Sequence, residues 1–361
     1  MLVKTDTFND TTDEPNETFT LSGTLTSNGA PYSDSGIATI IDNDTPTITV
    51  GDPANNGIGD ITVPEGDDAI FGVNLTGVAV GGTLTLTMAQ SGVNPATEGT
   101  DYKVTTFQYS LDNGTTLEQR HGRHGVRGQP GRQPGLVKTD TFNDTTDEPN
   151  ETFTLSGTLT SNGAPYSDSG IATIIDNDTP TITVGDPANN GIGDITVPEG
   201  DDAIFGVNLT GVAVGGTLTL TMAQSGVNPA TEGTDYKVTT FQYSLDNGTT
   251  WNNATEGTAF AVNLGDSQVL VKTDTFNDTT DEPNETFTLS GTLTSNGAPY
   301  SDSGIATIID NDTPTITVGD PANNGIGDIT VPEGDDAIFG VNPDRGSGGR
   351  HADADHGAIR G

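Results

Sequence analysis

The sequence predicts an all-β protein, a tandem series of antiparallel sandwiches, and three observations carry that prediction. Short segments such as AIFGVNL (Ala203 to Leu209), TLTLTM (Thr217 to Met222) and GIATII (Gly304 to Ile309) alternate apolar and polar residues and are rich in Thr, Val and Ile, the pattern of a strand with one buried face. Clusters of Gly, Asn, Asp and Pro separate them, and no stretch carries a helical period of useful length. The whole pattern returns every 134 residues: LVKTDTF begins at Leu2, Leu136 and Leu270, an interval long enough for one domain per copy.

The period divides the 361 residues into the last third of one copy (1–44), a second copy (45–178), a complete third (179–312) and the start of a fourth (313–342). The start and finish of the chain are thus expected to fall inside copies. Each full copy, at roughly 130 residues, can bury about two thirds of its unfolded surface.

Two stretches break the period. Where the third copy reads WNNATEGTAFAVNLGDSQV (Trp251 to Val269), the second reads LEQRHGRHGVRGQPGRQPG (117–135), and a one-base shift of reading frame converts codons for the first into codons for the second. The tail 343–361 relates in the same way to Leu209 to Gly226. All seven arginines and all four histidines lie inside these two stretches. A basic nucleic-acid patch (Arg120 to Arg132) and a metal site (His351, Asp353, Asp355, His356) are therefore attributed to the frame slip, which does not place residues by their chemistry. Segment 117–135 is expected to form a flexible basic loop.

Within the complete copy seven strands are expected. Thr181 to Val197 opens it with TITV and ITV, broken near Pro187, which cannot donate to a ladder. Ala203 to Leu209 and Thr217 to Gln224 alternate cleanly on either side of a glycine-rich turn. Lys237 to Leu245 ends at Asp246-Asn247-Gly248, a turn sequence. Gln268 to Phe276, Thr286 to Leu293 and Gly304 to Ile309 complete the set. Up-and-down alternation of seven strands sends every second connection to the same end of a sandwich.

The acids sort by that rule. Pro198-Glu199-Gly200-Asp201-Asp202, Glu232-Gly233-Thr234-Asp235-Tyr236, Asn277 to Glu285 and Asp310-Asn311-Asp312 all fall at one pole, whereas Thr210 to Gly216, the Asp246 turn with its long excursion, and Gly297 to Tyr300 form a mostly neutral one. Two carboxylates about 4 Å apart repel by roughly 4 kcal/mol at an effective dielectric near 20. Six or more at one pole call for a cation; oxygen-only ligands favour calcium over zinc or copper, and several anionic ligands with few obvious water-keeping gaps favour calcium over magnesium. The competing explanation is that Asp, Asn and Gly are good turn residues and the acids are simply solvated.

These residues also resemble a known family. Glu199-Gly200, Gly233-Thr234-Asp235-Tyr236, the E-P-N-E-T-F core of Asp278 to Phe287, and Gly304 to Asp312 look like the Calx-β domain, a calcium-binding immunoglobulin-like sandwich, over nearly the whole copy. The resemblance implies ligands at Glu199, Asp235, Asp278, Glu282, Asp310 and Asp312, and at Glu65, Asp101, Asp144, Glu148, Asp176 and Asp178 in the second copy. Asn277 and Asn311 depart from the fuller acidic run often seen in that family, which weakens one calcium position. The segment Phe241 to Trp251 resembles a hairpin frequent in tandem repeats of giant bacterial surface adhesins.

Composition narrows the functional classes. A net charge of −39 makes nucleic acid and anionic membranes poor partners. No apolar run is long enough to span a bilayer. Without cysteine there is no disulfide framework or thiolate metal site. Enzyme chemistry lacks histidine outside the slipped stretches and lacks a nucleophile or phosphate-loop motif. Trp251 is read as a hairpin packing residue, against a sugar-stacking platform, and sequons such as Asn74-Leu75-Thr76 and Asn150-Glu151-Thr152 as chance products of an Asn/Thr-rich chain. The expectation is a secreted or cell-surface array of calcium-binding extension repeats, with calcium and neighbouring repeats as partners, a bacterial adhesin being the parent protein. The alternative is a module whose neutral pole binds host or surface carbohydrate or protein.

Overall fold

The alternating segments become ladders. A computed structural model describes residues 1–103, 107–110, 118–120, 125–127, 135–237, 241–262 and 268–344; His351, Asp353, Asp355, His356 and part of the slipped segment 117–135 lie outside them. The chain packs as two compact units, Met1–Asp178 and Thr179–Gly361.

In the second unit one sheet has the order β13-β15-β20-β17-β18 and the other β14-β22-β21-β16-β19. The strands are β13 (Thr181–Gly185), β14 (Ile195–Pro198), β15 (Asp202–Thr210), β16 (Thr217–Gln224), β17 (Phe241–Ser244), β18 (Asn252–Ala254), β19 (Phe260–Ala261), β20 (Gln268–Asp274), β21 (Glu285–Ser295) and β22 (Ala298–Ile309). The opening strand is indeed broken near Pro187, and its halves join different sheets: β13 pairs antiparallel with β15, β14 parallel with β22. Between them Pro187–Asn189 forms a 3-10 turn in which the Ala188 amide donates to the Asp186 side chain. The arrangement is an immunoglobulin-like sandwich.

The core lies between the sheets, from the inward residues that alternation selects. Phe205 and Phe287 meet edge to face at 5.9 Å, and Tyr236 stacks on Phe287 at 4.3 Å, geometries aromatic rings favour. Two strands run longer than alternation alone suggested. β21 and β22 are paired from Glu285↔Ile308 to Ser295↔Ala298, because Asn296 and Gly297 both take positive φ (45° and 79°) and close a tight two-residue hairpin. Gly304 leaves this ladder intact and is required by packing: a Cβ there would lie 2.5 Å from the Val184 carbonyl oxygen in the facing sheet.

The first unit repeats this plan with β3 (Thr47–Gly51), β4 (Ile61–Pro64), β5 (Asp68–Thr76), β6 (Thr83–Gln90), β7 (Phe107–Ser110), β8 (Glu118–Arg120), β9 (Gly125–Arg127), β10 (Gly135–Asp140), β11 (Glu151–Ser161) and β12 (Ala164–Ile175), in sheets β3-β5-β10-β7-β8 and β4-β12-β11-β6-β9. It also holds a hairpin of β1 (Glu17–Ser27) and β2 (Ala30–Ile40) with exposed apolar side chains. The expected flexible loop over 117–135 is corrected in part. Its described residues pair in the register of the intact copy, Glu118 with Tyr109 and Val126 with Leu84, matching Asn252 with Tyr243 and Phe260 with Leu218. Ladder bonds are made by main-chain groups, which every residue but proline supplies whatever its side chain. A further pair, β23 (Thr315–Gly319) and β24 (Gly340–Asp344), follows the complete copy in the second unit.

Candidate metal centre at the acidic pole

Strand order brings the four acidic loops of each copy together. In the second unit they are cross-tied by hydrogen bonds. The Glu199 amide donates to Ile309 O (3.0 Å), the Phe276 amide to Asp235 O (2.9 Å), and buried Thr275 donates its hydroxyl to Asp201 O (2.7 Å). Asn311 Nδ2 donates both to Glu199 O (3.0 Å) and to Asn277 Oδ1 (2.9 Å), while Asn284 Oδ1 accepts from the Asp310 amide (3.2 Å). The two asparagines that interrupt the acidic run thus clamp three loops to one another, a role that needs an amide's donor and acceptor together.

On this frame the carboxylates form two triads. Oxygens of Glu199, Asp310 and Asp312 lie within 4.8 Å of one another, as do those of Asp235, Glu282 and Glu285. The first unit builds the same pair from Glu65, Asp176 and Asp178 and from Asp101, Glu148 and Glu151. Ten of the twelve residues expected from the sequence are therefore gathered. Asp144 and Asp278 stand beside the triads in another role: the Asp278 amide donates to Glu199 Oε1 (2.5 Å) while its own Oδ1 caps the Thr280 amide (2.6 Å), and Asp144 does the same with Glu65 and Thr146.

Glu151 and Glu285 were missed. The signal was present in the alternation, since Glu285 shares its side of β21 with the fully buried Phe287 and Leu289.

The electrostatics match an uncompensated site. Asp176 Oδ1, Asp178 Oδ2, Asp310 Oδ1 and Asp312 Oδ2 are buried atoms without a hydrogen-bond partner, an arrangement that normally costs free energy. Burial, and then the carboxyls of neighbouring acids, raise Glu148 to about 6. Burial followed by the Asp101 charge pushes Glu151 up to about 8, and burial with a hydrogen bond to Asp235 takes Glu285 to about 7. Glu65, Glu199, Asp176, Glu282 and Asp312 are raised as well, burial leading in each case. The ion pairs among the described residues, Lys4–Asp6, Lys103–Asp140, Lys138–Asp68 and Lys272–Asp202, include no triad member. All-oxygen and multiply anionic, the triads have the donor set of a site for a hard cation.

The opposite pole looks different. Asp246 takes hydrogen bonds from Thr250 N, Thr250 Oγ1 and Ser244 Oγ, which lower it to about 2 and make it a turn residue. Trp251 is half-buried with Lys272 Nζ 5.2 Å from its ring centroid, so the packing reading describes it. Among the described residues no helix is long and apolar enough to cross a membrane.

No protein-family model matches the sequence, and no curated protein matches it. Solved structures to which the chain is similar include CBD12 from CALX1.2 (12% identity, 73% of this chain and 99% of that one, TM-score 0.25). Others are the C-terminal domain of the Streptococcus agalactiae AgI/II polypeptide BspA (9%, 73% and 99%, TM-score 0.22) and the CupB6 tip adhesin of Pseudomonas aeruginosa (12%, 73% and 98%, TM-score 0.29). Function rests on the site itself.

Proposed function

We propose that the chain is a stretch of calcium-binding extension repeats from a large secreted or cell-surface bacterial protein, an adhesin, in which calcium stiffens the junctions between copies. The observation that carries this reading is the pairing of two carboxylate triads at one pole of each sandwich, with buried oxygens that no protein group satisfies. Glu65, Asp101, Glu148, Glu151, Asp176 and Asp178 would hold the ions in one copy, with Glu199, Asp235, Glu282, Glu285, Asp310 and Asp312 in the other, and Asp144 and Asp278 at their margin.

The mechanical role follows from where the last triad members sit. Asp310-Asn311-Asp312 runs into Thr313-Pro314 without a Gly/Ser spacer, and proline confines the residue before it to extended backbone. A cation held by Asp310 and Asp312 fixes the direction in which the chain leaves the copy. Without it, mutual repulsion loosens that exit. Near-identical copies, absence of cysteine and a net charge of −39 suit a long soluble spacer better than a binding site or an enzyme.

Differential scanning calorimetry of the chain in millimolar calcium and in EDTA tests the metal role, since a ligand of the native state must raise its melting temperature. Equal melting temperatures in the two buffers remove calcium from the account. Small-angle scattering of the same samples tests the stiffening: a longer maximum dimension in calcium is expected, and equal dimensions leave calcium as a stabiliser of each fold alone.

A further inference from the structure

The first unit contains a contact that the metal site does not use. Asp13 lies in the loop that leads into β1, within the stretch Asn9 to Glu17 that repeats as Asn143 to Glu151 and Asn277 to Glu285. Asp13 is only 7% exposed, although it has no basic partner among the described ion pairs. The Ser161 hydroxyl, fully buried at the end of β11, donates to Asp13 Oδ2 (2.7 Å) and itself accepts from the Ala79 amide (2.9 Å). The Asp13 amide donates to Gly77 O (3.0 Å). A Cβ on Gly77, which has φ +63°, would lie 3.0 Å from the Thr11 carbonyl oxygen and 3.4 Å from Pro46 Cα, so the loop's main chain rests directly on the glycine.

We propose that the neutral pole of copy 45–178, through Gly77, Ala79 and Ser161, is a docking surface for the acidic loop of the copy before it, with Asp13 as the pin. The partner is thus a preceding copy of this same chain. Three features make the contact a built one. A carboxylate is removed from water, a step that is costly unless its oxygens are hydrogen-bonded. The serine that receives it is oriented by a second hydrogen bond, from a backbone amide. The surface approached is a glycine, where the main chains can come this close. Ser161 and Gly77 recur as Ser295 and Gly211, and Asp13 as Asp147 and Asp281. Copy 1–44 contains no counterpart of Glu65 or Asp101, so the pin requires no complete metal site. It stands whether or not calcium is bound elsewhere.

The chain has no cysteine, which gives a clean test by cross-linking. The full chain carrying Asp13→Cys and Ser161→Cys, oxidised in EDTA, is expected to form an intramolecular disulfide in most molecules, seen as a 2 Da mass loss (two hydrogens) and faster non-reducing migration. The pair Asp34→Cys with Ser161→Cys is the control, because Asp34 is exposed on β2. Cross-linking no greater than in the control overturns the proposal. Because Ser161→Cys could disturb the core, amide exchange of Asp13→Ala is measured as well: the amides of residues 13 and 79 are expected to exchange about tenfold faster than in the parent, with Asp34→Ala unchanged. Unaltered exchange in Asp13→Ala likewise overturns it.

Discussion

Residues 45–178 and 179–312 are identical except that 117–135 replaces 251–269, so the two copies compare one fold with and without its excursion. In the intact copy Ala254, Val262 and Val269 belong to the core, and Tyr243 stacks on Phe260 at 4.0 Å. In the other copy Gly135 stands in the place of Val269, and residues of unchanged identity are less covered: Leu75, Met88 and Ile61 are half-buried where Leu209, Met222 and Ile195 are buried. The acidic triads do not follow this trend. They form in both copies from the same residues, because the strands and loops that carry them lie outside the excursion. One part of the core depends on residues 251–269, while the acidic pole does not.

The largest expected effect comes from transplanting the defect. Val269 is fully buried, so Val269→Gly should remove about 3 kcal/mol, combining lost apolar burial with a cavity and a glycine in a strand. For a copy of this size that lowers the melting temperature by roughly 10 °C. Calorimetry of the full chain should accordingly show two transitions, the earlier from 45–178, with Val269→Gly moving the later one down. A Val269→Gly chain that melts like the parent would mean the excursion is not part of the core.

Calcium should sharpen the same comparison by raising both transitions alike. At a free concentration a hundred times the dissociation constant the gain is about 2.7 kcal/mol per site. Glu285→Gln and Glu282→Ala should reduce it in the intact copy by weakening binding, as should Asp278→Ala, through the lost loop contact with Glu199. Asp246→Ala should lower the melting temperature by breaking its turn yet leave calcium affinity, measured by isothermal titration, unchanged. If Asp246→Ala and Glu285→Gln weaken binding equally, the assignment of poles is wrong.

Much of this was legible in the sequence and some was not, for identifiable reasons. Strands announced themselves by alternation because each has one buried and one exposed face, as in Phe205-Gly206-Val207 and Leu218-Thr219-Leu220. The acidic pole followed from counting connections, since antiparallel order leaves no freedom about which end a loop occupies. The edge strands β18 and β19 were hidden because they are two or three residues long and held by main-chain pairing. The clamp between Asn277 and Asn311 was hidden because the two are 34 residues apart. Glu285 was read as part of a loop although it is the first residue of β21.

A smaller and more specific effect concerns pH in the absence of metal. Glutamates raised above 4.5 in the folded state hold protons that the unfolded chain has released, so the folded state is favoured at low pH and loses that advantage as pH rises. The advantage is complete below about pH 4.5 and is lost through about 7 for Glu285, and through about 6 and 8 for Glu148 and Glu151. In EDTA, the melting temperatures of 45–178 and of 179–312 should both fall as pH rises through neutrality. Calcium should flatten both profiles. Pulse proteolysis across pH 5–9 would read this, and a metal-free stability that rises from pH 5 to 8 would contradict the burial of these carboxyls.

The smallest effect separates main chain from side chain at the altered edge. β8 and β9 pair with β7 and β6 in the register of β18 and β19, although 117–135 shares no pattern with 251–269. Ladder hydrogen bonds are available to any residue but proline, whereas protection from exchange also depends on how often an edge opens, which burial of its side chains opposes. In the intact copy Ala254 and Val262, at the edges of β18 and β19, are buried; arginine and glycine stand at their counterparts, Arg120 and Gly128. Amide exchange within 118–120 and 125–127 should therefore be slower than in an exposed turn such as Asn28-Gly29, yet faster than within 252–254 and 260–261 by roughly tenfold, the equivalent of about 1.4 kcal/mol of opening free energy. Protection equal to the intact copy would show that main-chain pairing alone secures these edges. Exchange as fast as in the turn would show that the register is lost once the apolar residues are gone.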